Sequence, residues 1–288
     1  MEILNYRVLK INLANRMFET EVLDSNVYRK YLGGRNIIAH YLLNETPKNV
    51  DPLSEHNLLI FATGLLTGTP VGCAGRNSAG AKSPLTGGYG EGEAGGYFGS
   101  ELRMAGFDAI VIKGISSEPI YISIMDGVVE FRNASHLWGK LIGDTHKAIC
   151  RDLEDDRIRT AIIGPAGENL VPISCIMNDV THAYGRCGLG AVMGSKKIKA
   201  IAVRGHQRLP WVDTESVKAY AKWFGEKWRD EPSAEYFAQH GTIGSLTALN
   251  AAGGLPTRNF QKGQFEKAEQ ISGEELSRRY LVRRDTCY

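Results

Sequence analysis

No stretch of this chain approaches the roughly 18 consecutive apolar residues that cross a bilayer. Its beginning, MEILNYRVLKINL, lacks the basic region, apolar run and small-residue cleavage site of a secretory signal. No membrane span is expected, and the chain reads as cytoplasmic. Charge of one sign is missing too: 34 basic and 32 acidic residues leave a formal net charge of +2, with the signs interspersed. Nucleic-acid binding normally needs a basic face, so no nucleic-acid partner is expected. Cysteine is scarce. Cys73, Cys150, Cys175, Cys187 and Cys287 are odd in number and widely spaced, which suits reduced thiols rather than a disulfide framework. Internal repeats and low-complexity tracts are absent. So is a Walker-type loop, because Gly194-Ser195-Lys196-Lys197 ends in the wrong residues after the wrong spacing.

What is present is a core and an excess of glycine. Of 288 residues, 43% are hydrophobic, enough for one large domain or two smaller ones. The 33 glycines exceed the usual share of about 7% and follow no collagen-like period. Up to about residue 210 the pattern is of short strands between glycine turns, at 6–13, 57–62, 109–113, 119–124, 128–131, 159–163, 171–177 and 199–203. Asp126-Gly127 between two of these is the strongest hairpin signal, because Asp-Gly accepts the positive φ angles of a tight turn. Helices are expected at 96–105, closed by Gly106, at 141–153, and at 24–32 before Gly33-Gly34. Strands and helices do not alternate regularly. The expected fold is therefore α+β, mainly antiparallel sheet with peripheral helices over residues 1–208.

The period changes after Pro210. A helix capped by Asp213 or Thr214 carries Val217, Tyr220, Ala221, Phe224 and Trp228 on one face. Further helices are expected at 242–252 and 273–281, so 209–288 reads as the start of an α-helical domain. A chain that stops after RRDTCY reads as cut off, either a fragment or a truncated product.

Residues 75–109, GRNSAGAKSPLTGGYGEGEAGGYFGSELRMAGFDA, contain ten glycines. Gly90-Glu91-Gly92-Glu93-Ala94-Gly95 formally matches a dinucleotide fingerprint, with Asp108 downstream, but no buried strand leads into it. Gly95-Gly96 opens the helix expected next, so its first amides are candidates for an anionic oxygen, with Arg76 or Lys82 as counter-charge. A second stretch, 163–169 and 178–197, interleaves Asn178, Asp179, His182 and Arg186 with Gly185, Gly188, Gly190 and Gly194. Two such segments, each with a basic residue, suggest a large polyanionic cofactor. The competing reading is that the glycines serve only turns and helix packing. His182 reads as hydrogen-bonded to a neighbouring carboxylate ahead of a base or ligand, and Cys187 as a packed thiol.

On these segments the chain resembles the tungsten-containing aldehyde ferredoxin oxidoreductase family over essentially its whole length. The resemblance rests on YLGGRN, DPLSEHN, ATGLLTGT, AKSPLTG, GGYFGSELRMAGFDAIVIKG, ASHLWGK, IGPAGENLV, IMND and GRCGLGAVMGSKKIKAIAV, in that order. The family includes aldehyde oxidisers and the tungsten subunit of a benzoyl-CoA reductase. The resemblance implies a base of two sheets carrying tungsten, or molybdenum, on the dithiolenes of two pyranopterins whose phosphates are bridged by magnesium. Arg76 then lies between pterin and an iron–sulfur cluster. Glu93, Ala94, Gly95 and Gly96 form one pterin loop, and His182, Ala183, Gly185 and Arg186 the other. The backbone carbonyls of Glu93 and Ala183 face magnesium through its waters; Glu93 stands where Asn is common. Cys287 begins a Cys-x2-Cys-x3-Cys run for a [4Fe–4S] cluster whose other cysteines, with the catalytic Glu and His, lie past this chain. The implied partners are an aldehyde, ferredoxin or an iron–sulfur subunit, and a second copy or further subunits. Another tungsten or molybdenum enzyme of the family, or a catalytically silent cofactor-binding subunit, is the alternative.

Overall fold

The computed structural model describes residues 6–209 and 213–283. Two compact units are present, one running to Val217 and the other starting at Lys218. The boundary read between residues 208 and 209 lies before that division, and residues 210–212 fall outside the described residues.

In chain order the first unit contains β1 (Arg7–Asn12), β2 (Met17–Val22), α1 (Ser25–Tyr31), α2 (Gly34–Glu45), β3 (Leu59–Thr63), β4 (Asn77–Lys82), β5 (Tyr89–Ala94), α3 (Phe98–Met104) and β6 (Ala109–Lys113). It continues with β7 (Ile120–Met125), β8 (Val128–Asn133), α4 (Ile142–Asp152), β9 (Arg159–Ile162), α5 (Pro165–Glu168), β10 (Ile176–Asn178), β11 (His182–Tyr184), α6 (Leu189–Ser195) and β12 (Ile198–Arg204). One sheet has the order β2-β1-β6-β3-β4-β5, the other β11-β10-β9-β12-β7-β8. Each is mixed but mainly antiparallel, with a single parallel pairing, β1 with β6 and β12 with β7. Thus β5 and β11, the strands that border the two expected loops, are both sheet edges.

The central strands β3, β6 and β12 are buried on both faces because helices and the facing sheet cover them, while the edge strands β2 and β8 are largely exposed. Between the sheets lies the main core, where Leu9, Phe61 and Ile110 of one sheet meet Ile122, Tyr184 and Ile201 of the other around Phe98 and Leu102 of α3 and Val192 of α6. Phe61 sits 5.8 Å from Phe98 and 5.7 Å from Tyr184, ring centre to ring centre. Side chains of this size each stabilise by roughly 1.5–3 kcal/mol on burial. On the outer face of the first sheet, α1 and α2 deliver Tyr28, Ile37, Ile38 and Tyr41. On the outer face of the second, α4 delivers Ile149 and Cys150. Asp24 caps α1 by accepting the Asn26 N–H at 2.8 Å. The Asp126-Gly127 turn takes φ of 48° and 90°, as a two-residue hairpin requires.

Four strands depart from the reading of the sequence. β2, β4, β5 and β11 were not expected, and the strand expected at 171–177 is confined to Ile176–Asn178 because Val171–Ser174 closes a turn, Ser174 N–H to Val171 O at 2.9 Å. Of the helices, α2 was missed behind its glycine start, and α5 and α6 were not expected in the second glycine-rich stretch.

The second unit is helical, with the rest of α7 (Thr214–Lys227), then α8 (Pro232–His240), α9 (Leu246–Ala251) and α10 (Gly273–Arg279). Asp213 accepts the Ser216 N–H at 2.9 Å, as a cap should. No described residue of α7 is buried, and Tyr220 and Trp223 are exposed. The stretch expected as one helix at 242–252 is split into a 3-10 turn, Thr242–Ser245, and α9. α8, which starts at Pro232, was not expected.

Candidate cofactor site

β5 alternates. Tyr89, Glu91 and Glu93 face one side, while Gly90, Gly92 and Ala94 are buried on the other. Arg35, two residues into α2, pairs with Glu93 and lies 4.0 Å from Glu91, and its carbonyl accepts the Tyr89 hydroxyl at 2.9 Å. The two glutamates are thus held toward α2, and Arg35 is a site residue the sequence reading did not single out. Glu93 shares with Arg76 a cavity of about 300 Å³, also lined by Gly33, Gly34, Arg35 and Ser78. The Arg76 side chain is exposed, and its carbonyl accepts the Thr67 hydroxyl at 2.9 Å.

The buried side of β5 receives β11. A Cβ at Gly92 would lie 3.2 Å from the Cα of Tyr184, so any other residue would have to push β11 outward by a few tenths of an ångström. The Tyr184 hydroxyl bonds to the Asn77 side chain, and burial pushes its acidity far out of the physiological range. Just beyond β5, Asn178 gives its side-chain N–H to Gly95 O. The Asp179 carboxylate accepts the Tyr97 N–H at 2.6 Å and the Thr160 N–H at 3.3 Å. Gly96 has φ of 85°, and a Cβ there would meet Asp179 Oδ2 at 2.8 Å and His182 Nδ1 at 3.2 Å. Burial raises the Asp179 carboxyl above the ordinary carboxylate range, against the opposing pull of the Tyr97 N–H, Arg159 and the Thr160 and Phe98 N–H groups. Arg159 stacks over the Tyr97 ring at 4.5 Å.

The two loops named from the sequence, about ninety residues apart, therefore meet. Ala94, Gly95 and Gly96 are buried, His182 and Ala183 are half-buried, and Gly185 and Arg186 are exposed after β11. Cys287 lies outside the described residues.

Several expectations are corrected. The Tyr97 amide, at the N-cap of α3, is taken by Asp179 rather than left for a ligand. The partner of His182 is the Thr181 hydroxyl, at 3.1 Å from Nδ1, rather than a carboxylate. Lys82 is spent on Val50 O at 2.6 Å. Asp108 accepts from Arg7 N–H and from Arg103, each at 2.9 Å, which, with GEGEA folded as a strand, removes the dinucleotide fingerprint. Most glycines of the second stretch pack helices. A Cβ at Gly194 would run into the Gly167 carbonyl, and one at Gly167 would sit 2.9 Å from Gly190 O. Cys187 is the packed thiol expected, its Sγ 3.9 Å from Glu91 O.

A phosphorylated pterin fits this edge. Arg76 and Arg186 offer exposed guanidinium forks, and the buried acceptor Asn178 Oδ1 has no hydrogen-bond partner, a deficit that a ligand N–H donor can fill. Magnesium held by carbonyls through water needs no side-chain ligand. Among the described residues Cys73, Cys150, Cys175 and Cys187 are free and no group of three or more metal-binding side chains exists, so the ligands of a [4Fe–4S] cluster would have to come from outside them.

Comparison with known proteins gives the family and the fold. The family model described as aldehyde ferredoxin oxidoreductase, N-terminal domain, matches residues 8–205, and that for domains 2 and 3 matches residues 219–288. A tungsten-containing aldehyde ferredoxin oxidoreductase of Thermococcus kodakarensis is 44% identical over 98% of this chain and 47% of its own length. The WOR-like subunit of an aliphatic sulfonate oxidoreductase of Pyrococcus furiosus is 32% identical over 97% and 47%. Among solved structures, the active-site complex BamBC of benzoyl coenzyme A reductase with 1,5-dienoyl-CoA aligns with a TM-score of 0.84 at 31% identity, over 98% of this chain and 45% of that one. The chain spans about half the length of the curated relatives it matches. No helix of the described residues is long and apolar enough to cross a membrane. With both family models matched along its length, the chain belongs to the aldehyde ferredoxin oxidoreductase family.

Proposed function

We propose that this chain seats a tungsten–bis(pyranopterin) cofactor, and that the protein oxidises an aldehyde to a carboxylate. The observation that supports this is the meeting of Gly96 with His182 at the edges of two sheets, flanked by the unpartnered buried Asn178 Oδ1. The cofactor supplies two-electron redox chemistry at a metal held by its own sulfurs, so that aldehyde and water give carboxylate, three protons and two electrons.

The chain's own residues bind and orient. Arg76 and Arg186 hold phosphate or pterin oxygens in planar two-pronged contacts. The carbonyls of Glu93 and Ala183 accept hydrogen bonds from magnesium's waters. Arg35 keeps the Glu91 and Glu93 carboxylates turned from the phosphates, which they would otherwise repel. The fixed charge of Arg76 favours the more negative, reduced form of any redox group beside it. Ferredoxin or an iron–sulfur subunit is the proposed electron acceptor, and Cys287 the proposed contribution to a [4Fe–4S] cluster.

The test is metal and pterin analysis of the full-length protein, purified without oxygen, followed by assays of aldehyde oxidation and aromatic acyl-CoA reduction. Tungsten with two pterins per chain and aldehyde-dependent reduction of ferredoxin are expected. Absence of both metal and pterin overturns the reading. Acyl-CoA reduction without aldehyde activity selects the second reading, which the likeness to BamBC favours.

A further inference from the structure

The two loops of the site belong to different sheets, and something must fix the gap between them. We propose that Asn178 and Asp179 are positioning residues that set this gap, acting through the backbone of both loops. The consequence for cofactor retention rests on the pterin reading above; the geometry does not.

Both residues stand where β10 ends and the hairpin turns toward His182. Asn178 is fully buried and spends its amide N–H on Gly95 O. Asp179 divides its carboxylate, one oxygen taking the Tyr97 N–H at 2.6 Å and the other the Thr160 N–H at 3.3 Å. Its own N–H binds Thr160 O at 2.9 Å. Adjacent residues of one hairpin thus grip the Gly95–Tyr97 turn on both sides of Gly96 while anchored to β9. Movement of the hairpin carries the turn with it, so the Glu93 and Ala183 carbonyls keep their separation. Asp179 and Val180 both adopt left-handed backbone, φ 47° and 66°. A β-branched residue avoids that conformation unless its surroundings impose it, and here the two residues form the tight turn that closes the β10–β11 hairpin, whose Asn178–His182 pairing frames it.

The experiment uses the full-length holoenzyme with Asp179→Ala, Asp179→Asn and Asn178→Ala, and with Asp108→Asn as a control. Asp108 is another desolvated aspartate that accepts a backbone N–H, from Arg7, and it lies outside the site. Amide hydrogen exchange is followed at Tyr97 and at residues 182–186, and tungsten release is followed under a chelator. In Asp179→Ala, exchange should quicken at both segments together and release should accelerate by about tenfold. Asp179→Asn, which keeps one acceptor oxygen, should fall between this and wild type, and Asn178→Ala should show the same paired quickening. Asp108→Asn should leave both readouts unchanged even where its melting temperature falls equally. Faster exchange at Tyr97 alone would reduce Asp179 to a helix cap and overturn the proposal. So would release that tracks melting temperature across all four variants. Paired exchange in a protein that holds neither tungsten nor pterin would uphold the clamp while the functional reading falls.

Discussion

α5 and α6 meet through Gly167, Gly190 and Gly194, where backbone lies on backbone and every glycine is buried. β5 and the β10–β11 hairpin meet through Gly92 and Gly96, where backbone lies on Tyr184, Asp179 and His182 and the contact opens onto exposed Tyr97, Gly185 and Arg186. The missing Cβ serves density in the first region and shape in the second. Glycine richness therefore signals close approach without saying what approaches; the polar groups at the margin decide that.

Substitution in the first region should cost the most and say least about the cofactor. Gly194→Ala drives a methyl into the Gly167 carbonyl and should destabilise by about 3 kcal/mol or more. Cofactor content should fall only as folding fails, and a melt indistinguishable from wild type would break the contrast.

Lys196, which follows α6, gives a pH test of the same region. Its ammonium is fully buried with Gly114 O at 3.2 Å, and burial lowers its pKa from 10.5 to about 8. The unfolded chain binds the extra proton between these values, so this contribution makes stability rise with pH from about 8 to 10.5 and withholds it below. Across the window the change is on the order of 3 kcal/mol. Lys196→Met should remove that upward slope from a series of thermal melts; an unchanged slope would assign it elsewhere.

At the second region, Gly96→Ala combines a left-handed backbone with a crowded Asp179. A loss of about 1–3 kcal/mol is expected, with tungsten content falling further than the melting temperature accounts for. Smallest in stability are Arg35→Leu and Arg76→Leu, at exposed side chains where an ion pair is worth less than about 1 kcal/mol. Both should lower pterin retention at an almost unchanged melt, and equal metal content in all three proteins would remove their roles.

Much of the scaffold was legible where burial speaks through residue type. β6 is a run of apolar residues, AIVIK, and its bounds follow from that alone; the Asp126-Gly127 turn carries its own signature. β4 and β5 were not legible because NSAGAK and YGEGEA have no apolar rhythm. They are strands because small residues admit α2 and β11, as where a Cβ at Gly80 would strike Ile38; tertiary packing overrides local preference here. At the site, the glycine loops and their basic residues were legible, as was the family. The Asp179 contact with Tyr97 was not, since it joins positions 82 apart in sequence and nothing local marks it.

Tyr184 belongs at once to the shared interior and to the rim. Its ring packs on Phe61, while its backbone abuts Gly92. A change in interior volume, by hydrostatic compression or by trimming Phe61, should therefore bear on the contact between β5 and β11. Ligand grip in such a molecule should respond to pressure, in step with the compressibility of the filling rather than with any hinge.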